Sequence, residues 1–290
     1  MPTSILAVFN SLIRTIVATR RKTLRDKNAS PIGIFVTLAS AIPLWLITLL
    51  ILTQFYGFTF SPQYLFYVMA RSALVIITNV GAIFFYKFQA LSEYSIYGLA
   101  LGTITSGLVD HFYFHTLFTV QTSIGIVLLF AAWILISTSK KAKPQESKRT
   151  IKLYQILLCM FLLSIIGVIQ VSLYKTWVNI QNNPIVHGMF SQLVLYPIIA
   201  IIGFKRLQKD MKDKLIWIKD IALLGGITFI YTIVEPFIVK GLPLIVIHLL
   251  WSLQLILYTI YDLKKQEFKT KWKVISALLL AIGALILISL

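Results

Sequence analysis

Acidic residues are scarce in this chain. It holds 10 Asp plus Glu against 27 Lys plus Arg in 290 residues, and charged residues of both signs make up only 13%. A soluble globular chain carries about 25%, and one of this size could not cover its surface with so few polar groups. Cysteine is nearly missing as well. Cys159 stands alone, so no disulfide can close within the chain. The motifs of several chemistries are absent too. There is no G-x-x-x-x-G-K-[ST] to cradle phosphates, no G-x-S-x-G nucleophile turn and no H-E-x-x-H zinc pair. No alternating ten-residue pattern of an outer-membrane barrel recurs. Positive charge follows the first apolar stretch instead of preceding it, so no cleavable signal peptide is expected.

What is abundant is apolar surface. Hydrophobic residues make up 58%, and mean hydropathy is +0.85. Crossing a hydrocarbon core takes about 20 mainly apolar residues, and backbone groups in lipid must be satisfied within their own segment, which makes the spans helices. Apolar runs fall at 33–52, 63–86, 90–109, 117–137, 153–174, 185–204, 216–239, 242–261 and 273–290. A weaker tenth, 4–19, contains Asn10 and Arg14. The expectation is an all-α integral membrane protein of about ten transmembrane helices.

The sequence reads as two similar halves. Shifted by about 153 residues, "ASPIGIFVTLASAIPLWLITLL" meets "NNPIVHGMFSQLVLYPIIAIIG", so that Pro31 and Pro43 fall on Pro184 and Pro197. Each pair is expected to open a span and break its middle. The segments 63–86 and 90–109 fall on 216–239 and 243–262, and the weak 4–19 falls on the strong span 153–174. This sets residues 1–137 and 153–290 as two five-helix repeats joined by a charged linker, 138–152. An odd number of spans per half inverts the second half relative to the first. Inverted repeats are a signature of secondary transporters, with the solute site near mid-membrane between the halves.

The net charge of +17 would suggest nucleic acid on a soluble protein. Here 22 of the 27 basic residues sit in the loops after the odd-numbered spans, and only Lys175 and Lys240 lie in the loops after the even ones. Such a bias sets orientation, the basic loops staying in the cytoplasm. Nucleic acid is not an expected partner. The prokaryotic cytoplasmic membrane is the expected location, with 138–152 and 205–214 on its inner side.

Three stretches then carry a family likeness. Each half starts its second span with an Asn- or Ser-Pro-Ile motif. "FYKFQALSEYSIYGLALGTITSGLV" and "YDLKKQEFKTKWKVISALLLAIGALILISL" are similar to a third-to-fourth span corner and a final hairpin. With the length and the 5+5 repeat, the chain resembles the drug/metabolite transporter superfamily, EamA-like, over essentially its whole length. The resemblance implies a carrier of metabolites or drugs driven by ion or solute gradients.

Polar residues inside spans mark where the solute would sit. Thr228, Tyr231, Thr232 and Glu235 recur at three- and four-residue steps, as do His248, Trp251, Ser252, Tyr258 and Thr259. Arg71, Thr78 and Asn79 lie on the third span. A charge at that depth costs about 2.5–3.5 kcal/mol on insertion scales, so Arg71 needs protein or water around it and a partner. It reads either as half of a structural ion pair or as an anchor for an anionic or carbonyl group. Arg71, Asn79, Tyr231, Glu235, His248, Trp251 and Tyr258 are the expected solute-binding residues, in a cavity walled by spans 3, 4, 8 and 9. Ser95, Gly98, Gly102, Thr105 and Ser106 line one side of span 4 and read equally as helix contact. His187 reads as a polar wall residue or proton carrier. Spans 5 and 10 are apolar all round and suit lipid or a second copy of the chain, a homodimer. The expected function is secondary active or facilitative transport of a small polar or amphipathic metabolite, without enzymatic activity, cofactor or metal. The alternative is a membrane-embedded enzyme or lipid-carrier translocase subunit built on Asp110, His111 and His115.

Overall fold

Serine or asparagine followed by proline sets three of the helix starts. In a computed structural model of the chain, Ser30, Ser61 and Asn183 sit in extended backbone and accept N–H groups of Gly33, Tyr64 and Ile185. A proline follows each, where its missing N–H is one the helix would leave unbonded anyway. The structure describes residues 3–88, 91–115, 120–139, 153–244, 246–247, 254–265 and 269–289.

All the described elements are helical. They are α1 (Thr3–Asp26), α2 (Pro31–Val36), a 3-10 segment (Thr37–Ala41), α3 (Ile42–Tyr56), α4 (Pro62–Phe85), α5 (Leu91–Phe112), α6 (Val120–Ser137), α7 (Leu153–Trp177), α8 (Pro184–Lys212), α9 (Ile218–Gly241), α10 (Gln254–Lys264) and α11 (Lys271–Ser289). Among the described residues, five segments are long and apolar enough to cross a bilayer: Pro31–Tyr56, Pro62–Phe85, Leu158–Ile180, Pro184–Lys212 and Ile218–Gly241. The chain is an all-α membrane protein on that footing. Its surface agrees. On α3 only Trp45 is buried, while Leu46, Ile47, Leu50, Ile51 and Phe55 are exposed. Water would not tolerate so continuous an apolar face.

The two prolines of the expected kinks behave differently. Before Pro43 the helix tightens into the 3-10 segment, then restarts as α3 with proline in its first turn. Pro197 lies inside α8, which runs on unbroken to Lys212. A proline removes one i→i−4 bond and crowds one carbonyl, and a helix held by packing on both sides can absorb this. The first apolar stretch is not among the five apolar segments. It belongs to α1, which continues through its basic residues to Asp26 and turns Ile5, Phe9, Leu12 and Ile16 outward while burying Asn10, Ser11 and Thr15.

By packing, the chain divides into two compact units, each drawing on both halves of the sequence. The first comprises 1–6, 20–87 and 169–242; the second comprises 7–19, 88–168 and 243–290. In the first unit α2 packs on α4 and α8, α3 on α8, α4 on α8, and α9 on α8 and the 3-10 segment. Buried carboxylates tie the helix ends. Asp210 of α8 accepts the N–H (2.9 Å) and hydroxyl (2.6 Å) of Ser30. Asp220 accepts the N–H of Trp217 (2.9 Å) and pairs with Arg20. At another helix end, Gln181 exchanges hydrogen bonds with both backbone groups of Thr59, and Asn182 donates to Tyr56 O.

In the second unit α6 packs along α11, α5 on α6 and α10, and α10 on α11. Small residues allow the close approach. Ala132, Ile136, Leu255, Val274, Ala277, Ala281 and Ala284 form one buried cluster. Asp262 is fully buried and accepts the N–H (2.7 Å) and hydroxyl (2.6 Å) of Ser92, while Asp110 accepts the N–H of Leu244 (3.2 Å).

Candidate functional site

The interior of the first unit is where charge is buried without being neutralised at hydrogen-bond distance. Arg71 lies two and a half turns into α4, 5% exposed. Its guanidinium is 3.8 Å from Glu235 of α9 and stands over the ring of Tyr174 of α7, 3.9 Å from the centroid. At 3.8 Å the ion pair is too long for a hydrogen bond, and the ring offers only its π face. Glu235 is engaged further by Tyr231, which donates to its Oε1 from one turn earlier.

Helix contacts hold this group in place. Gly188 of α8 meets α9 so closely that a Cβ there would stand 2.9 Å from both the Pro236 side chain and Thr232 O, and 3.2 Å from the Tyr174 hydroxyl. The absent side chain lets α8 pass against α9 and brings His187 beside Tyr174, with ring centroids 4.5 Å apart. On its other side His187 Nδ1 is 2.8 Å from the Tyr64 hydroxyl. Tyr64 is set by the cap at Ser61 and is packed by Phe58, Phe190 and Trp177.

Several polar atoms in this region are buried and find no hydrogen-bond partner among the described residues: Arg71 Nε, Ser72 Oγ, His187 Nε2, Ser191 Oγ and Gln192 Oε1. They lie on neighbouring turns of α4 and α8. Buried polar groups are rarely left so, and an unmet one costs about 1–3 kcal/mol. The arrangement suits the binding of something polar: a donor-rich interior with aromatic walls.

Of the residues expected at the site, Arg71, Tyr231 and Glu235 come together. Asn79 is two turns further along α4 and accepts from Arg21 Nη1 (3.0 Å). Tyr258 belongs to the second unit, where it is buried and donates to Gln254 (2.8 Å). His248 and Trp251 lie outside the described residues. The expectation omitted Tyr64, Tyr174, Ser72, Ser191 and Gln192. A plain inventory of polar residues inside apolar runs would have included the last three. Of the alternative cluster, Asp110 accepts the N–H of Leu244, and His111 and His115 are exposed. Among the described residues no three His, Cys, Asp or Glu come together as metal ligands.

The class this fold defines is a helical membrane protein. No family model and no curated protein matches the chain. Solved structures do match. One, described as "Crystal structure of protein", is similar over 99% of this chain and 96% of its own, with a TM-score of 0.69 and 11% sequence identity. At that identity the likeness speaks for the fold alone.

Proposed function

We propose that the chain is a secondary active or facilitative carrier, of the EamA-like drug/metabolite kind, that moves a small polar or amphipathic solute across a cytoplasmic membrane. In this reading it has ten spans in two inverted five-helix repeats. The observation that carries the proposal is Arg71: a guanidinium buried among helices with apolar outer faces, set against Glu235 from the other sequence half, with no hydrogen bond spent on the described residues. A purely structural ion pair at that depth would close to hydrogen-bond distance to offset its desolvation. One left open suits a solute that competes for the cation.

The pattern of contacts supports the repeat. Asp262 lies 152 residues after Asp110, and Leu244 lies 152 after Ser92. Asp110 holds the backbone of Leu244, and Asp262 holds that of Ser92. Each contact becomes the other when the halves are exchanged, as a two-fold relation requires. The first unit follows suit: Ser30 meets Asp210, and Asn182, 152 residues after Ser30, meets Tyr56, near the position 152 before Asp210. The helix packing exchanges likewise. The α2–α4 contact maps onto α8–α9, α5–α6 onto α10–α11, and α4–α8 onto the contact of α9 with the 3-10 segment, while α5–α10 and α6–α11 map onto themselves.

The test is flux in proteoliposomes across a panel of labelled amines, carboxylates and neutral metabolites. At least one should move down its gradient or be driven by a proton gradient. Arg71→Ala should abolish that flux while the protein still inserts and folds. Glu235→Gln should change the apparent affinity for the solute, because Arg71 loses the carboxylate that competes for it. Unchanged flux in both variants would make the two charges structural and the site misplaced.

A further inference from the structure

We infer that the solute taken by the first unit is an anion, a small carboxylate with an apolar or aromatic body, whose carboxylate sits on Arg71. The inference rests on reading that interior as a solute site and goes further by naming the ligand chemistry. Its ground is which polar atoms are left over.

The unpartnered set is rich in donors. The Arg71 guanidinium carries five N–H groups in a planar fork, and its contacts are the Tyr174 ring and the 3.8 Å approach to Glu235. The hydroxyls of Ser72 and Ser191 each have a proton to give. In the tautomer in which Tyr64 donates to Nδ1, His187 carries its proton on Nε2, the atom that lacks a partner. Gln192 Oε1 is the exception, and the amide can turn to present its NH2 instead. A cation would face these donors with nothing to offer them. The site's carboxylate, Glu235, is meanwhile engaged by Tyr231 and faces Arg71. Donors without acceptors call for a ligand that is mostly acceptor.

The charge agrees. A second buried guanidinium, Arg21 of α1, reaches Asn79, which lies two turns beyond Arg71 along α4, about 12 Å at the helical rise. It donates from Nη1 to the neutral oxygen of Asn79. The first unit buries Arg21, Lys22, Arg25 and Arg71 against Asp210, Asp220 and Glu235, a surplus of one positive charge, which fits a monoanion better than a phosphate dianion. Arg71's fork matches a carboxylate edge. Tyr64, with Phe58, Phe190 and Trp177 around it, supplies flat apolar surface for the body of the solute.

The experiment uses the full chain purified into nanodiscs and reads midpoint shift and calorimetric binding. The probes are acetate, isobutyrate and benzoate, with benzylamine and benzamide as cationic and neutral counterparts of benzoate, and inorganic phosphate. At least one carboxylate should stabilise the protein saturably, benzoate most. Benzylamine, benzamide and phosphate should do so about 10-fold more weakly or not at all. Arg71→Gln should lose about 10- to 100-fold in carboxylate affinity, the range for one charge-assisted contact. Arg71→Lys, which keeps the charge but not the fork, should retain weakened binding and serves as the folded control. Equal binding of benzamide or benzylamine, phosphate binding above every carboxylate, carboxylate binding untouched in Arg71→Gln, or no stabilisation by any carboxylate would each overturn the inference. The carrier reading fails separately. Carboxylate binding with no flux of any solute would end it and leave this inference standing. Flux confined to amines or neutral solutes would do the reverse.

Discussion

The two units bury carboxylates for different purposes. In the second, Asp262 is saturated by the backbone and hydroxyl of Ser92 at the start of α5, and Asp110 takes the N–H of Leu244. Around them α6, α10 and α11 close on a core of alanine, leucine, isoleucine and valine. The first unit has carboxylates of that kind too, Asp210 and Asp220, but adds Glu235, set against a cation and not against a backbone. Neutral polar groups such as Asn10 and Thr103 go unmet in the second unit as well. Arg14 of the second unit also has an unmet Nε, and what distinguishes the first is a buried cation set 3.8 Å from a carboxylate, with an unmet ring nitrogen on an adjoining helix. Saturated carboxylates fix helix starts. The proposed carrier would keep the unsaturated charge for its solute.

The contrast breaks most visibly in a pair of substitutions. Arg71→Ala should remove flux altogether and lower the unfolding midpoint by less than Asp262→Ala does, because the loss is one ion pair at 3.8 Å and one ring contact, with no hydrogen bond broken. Asp262→Ala should do the opposite. It strips three donors, Leu91 N, Ser92 N and Ser92 Oγ, of a buried charged acceptor, and bonds of that type contribute about 1.5–3 kcal/mol each before relaxation. Yield and thermal midpoint should fall sharply, while flux per folded molecule in the surviving fraction stays near wild type. Flux lost per folded molecule in Asp262→Ala, or a collapse of folding in Arg71→Ala, would erase the division between the units.

A smaller effect sharpens the contrast within the first unit. In Gly188→Ala the new methyl would sit 2.9 Å from Pro236 and the Thr232 carbonyl, so α8 and α9 must part. Overpacking of this kind costs about 1–3 kcal/mol. The shift also pulls His187 off Tyr174 and Arg71 from Glu235, so flux should drop by more than the lost stability explains. A matched substitution at Gly283, where an added Cβ meets nothing within 4 Å, should leave both unchanged. Equal losses at the two glycines would mean that the site does not depend on this close approach.

Much of the helix frame was legible because it is written locally. Ser-Pro and Asn-Pro mark helix starts at positions 30, 61 and 183, and apolar runs mark the spans. Arg71 and Glu235 stood out because a charge inside a span is conspicuous in any sequence. Their approach from separate halves followed from needing a partner. Other features depend on contacts that no local pattern encodes. Asp210 reaches Ser30 across 180 residues, and Tyr174 enters the site only because Gly188 lets α8 come close. Pro197 looked like a break equal to Pro43, but packing along α8 carried the helix through.

The smallest expected effect bears on the alternative chemistry. Asp110, His111 and His115 look in sequence like an acid with two bases at a membrane boundary. In the structure Asp110 accepts from Leu244 N at 3.2 Å, a longer bond than those of Asp262 to Ser92, and both histidines are exposed. His115 adopts a left-handed backbone, φ 55°, which asparagine tolerates better than alanine. The variant Asp110→Asn, His111→Ala, His115→Asn therefore keeps the backbone geometry while removing every titrating group of the cluster. The Asn oxygen can still accept from Leu244, so the expected loss is that of a weakened neutral bond, about 1 kcal/mol. Flux should persist within about twofold, since that loss falls on stability and leaves the Arg71 site alone. An enzyme that used these three side chains for proton transfer would lose about 10²–10⁴-fold. A loss of that size with the midpoint intact would move the chemistry of this protein from the first unit to the second.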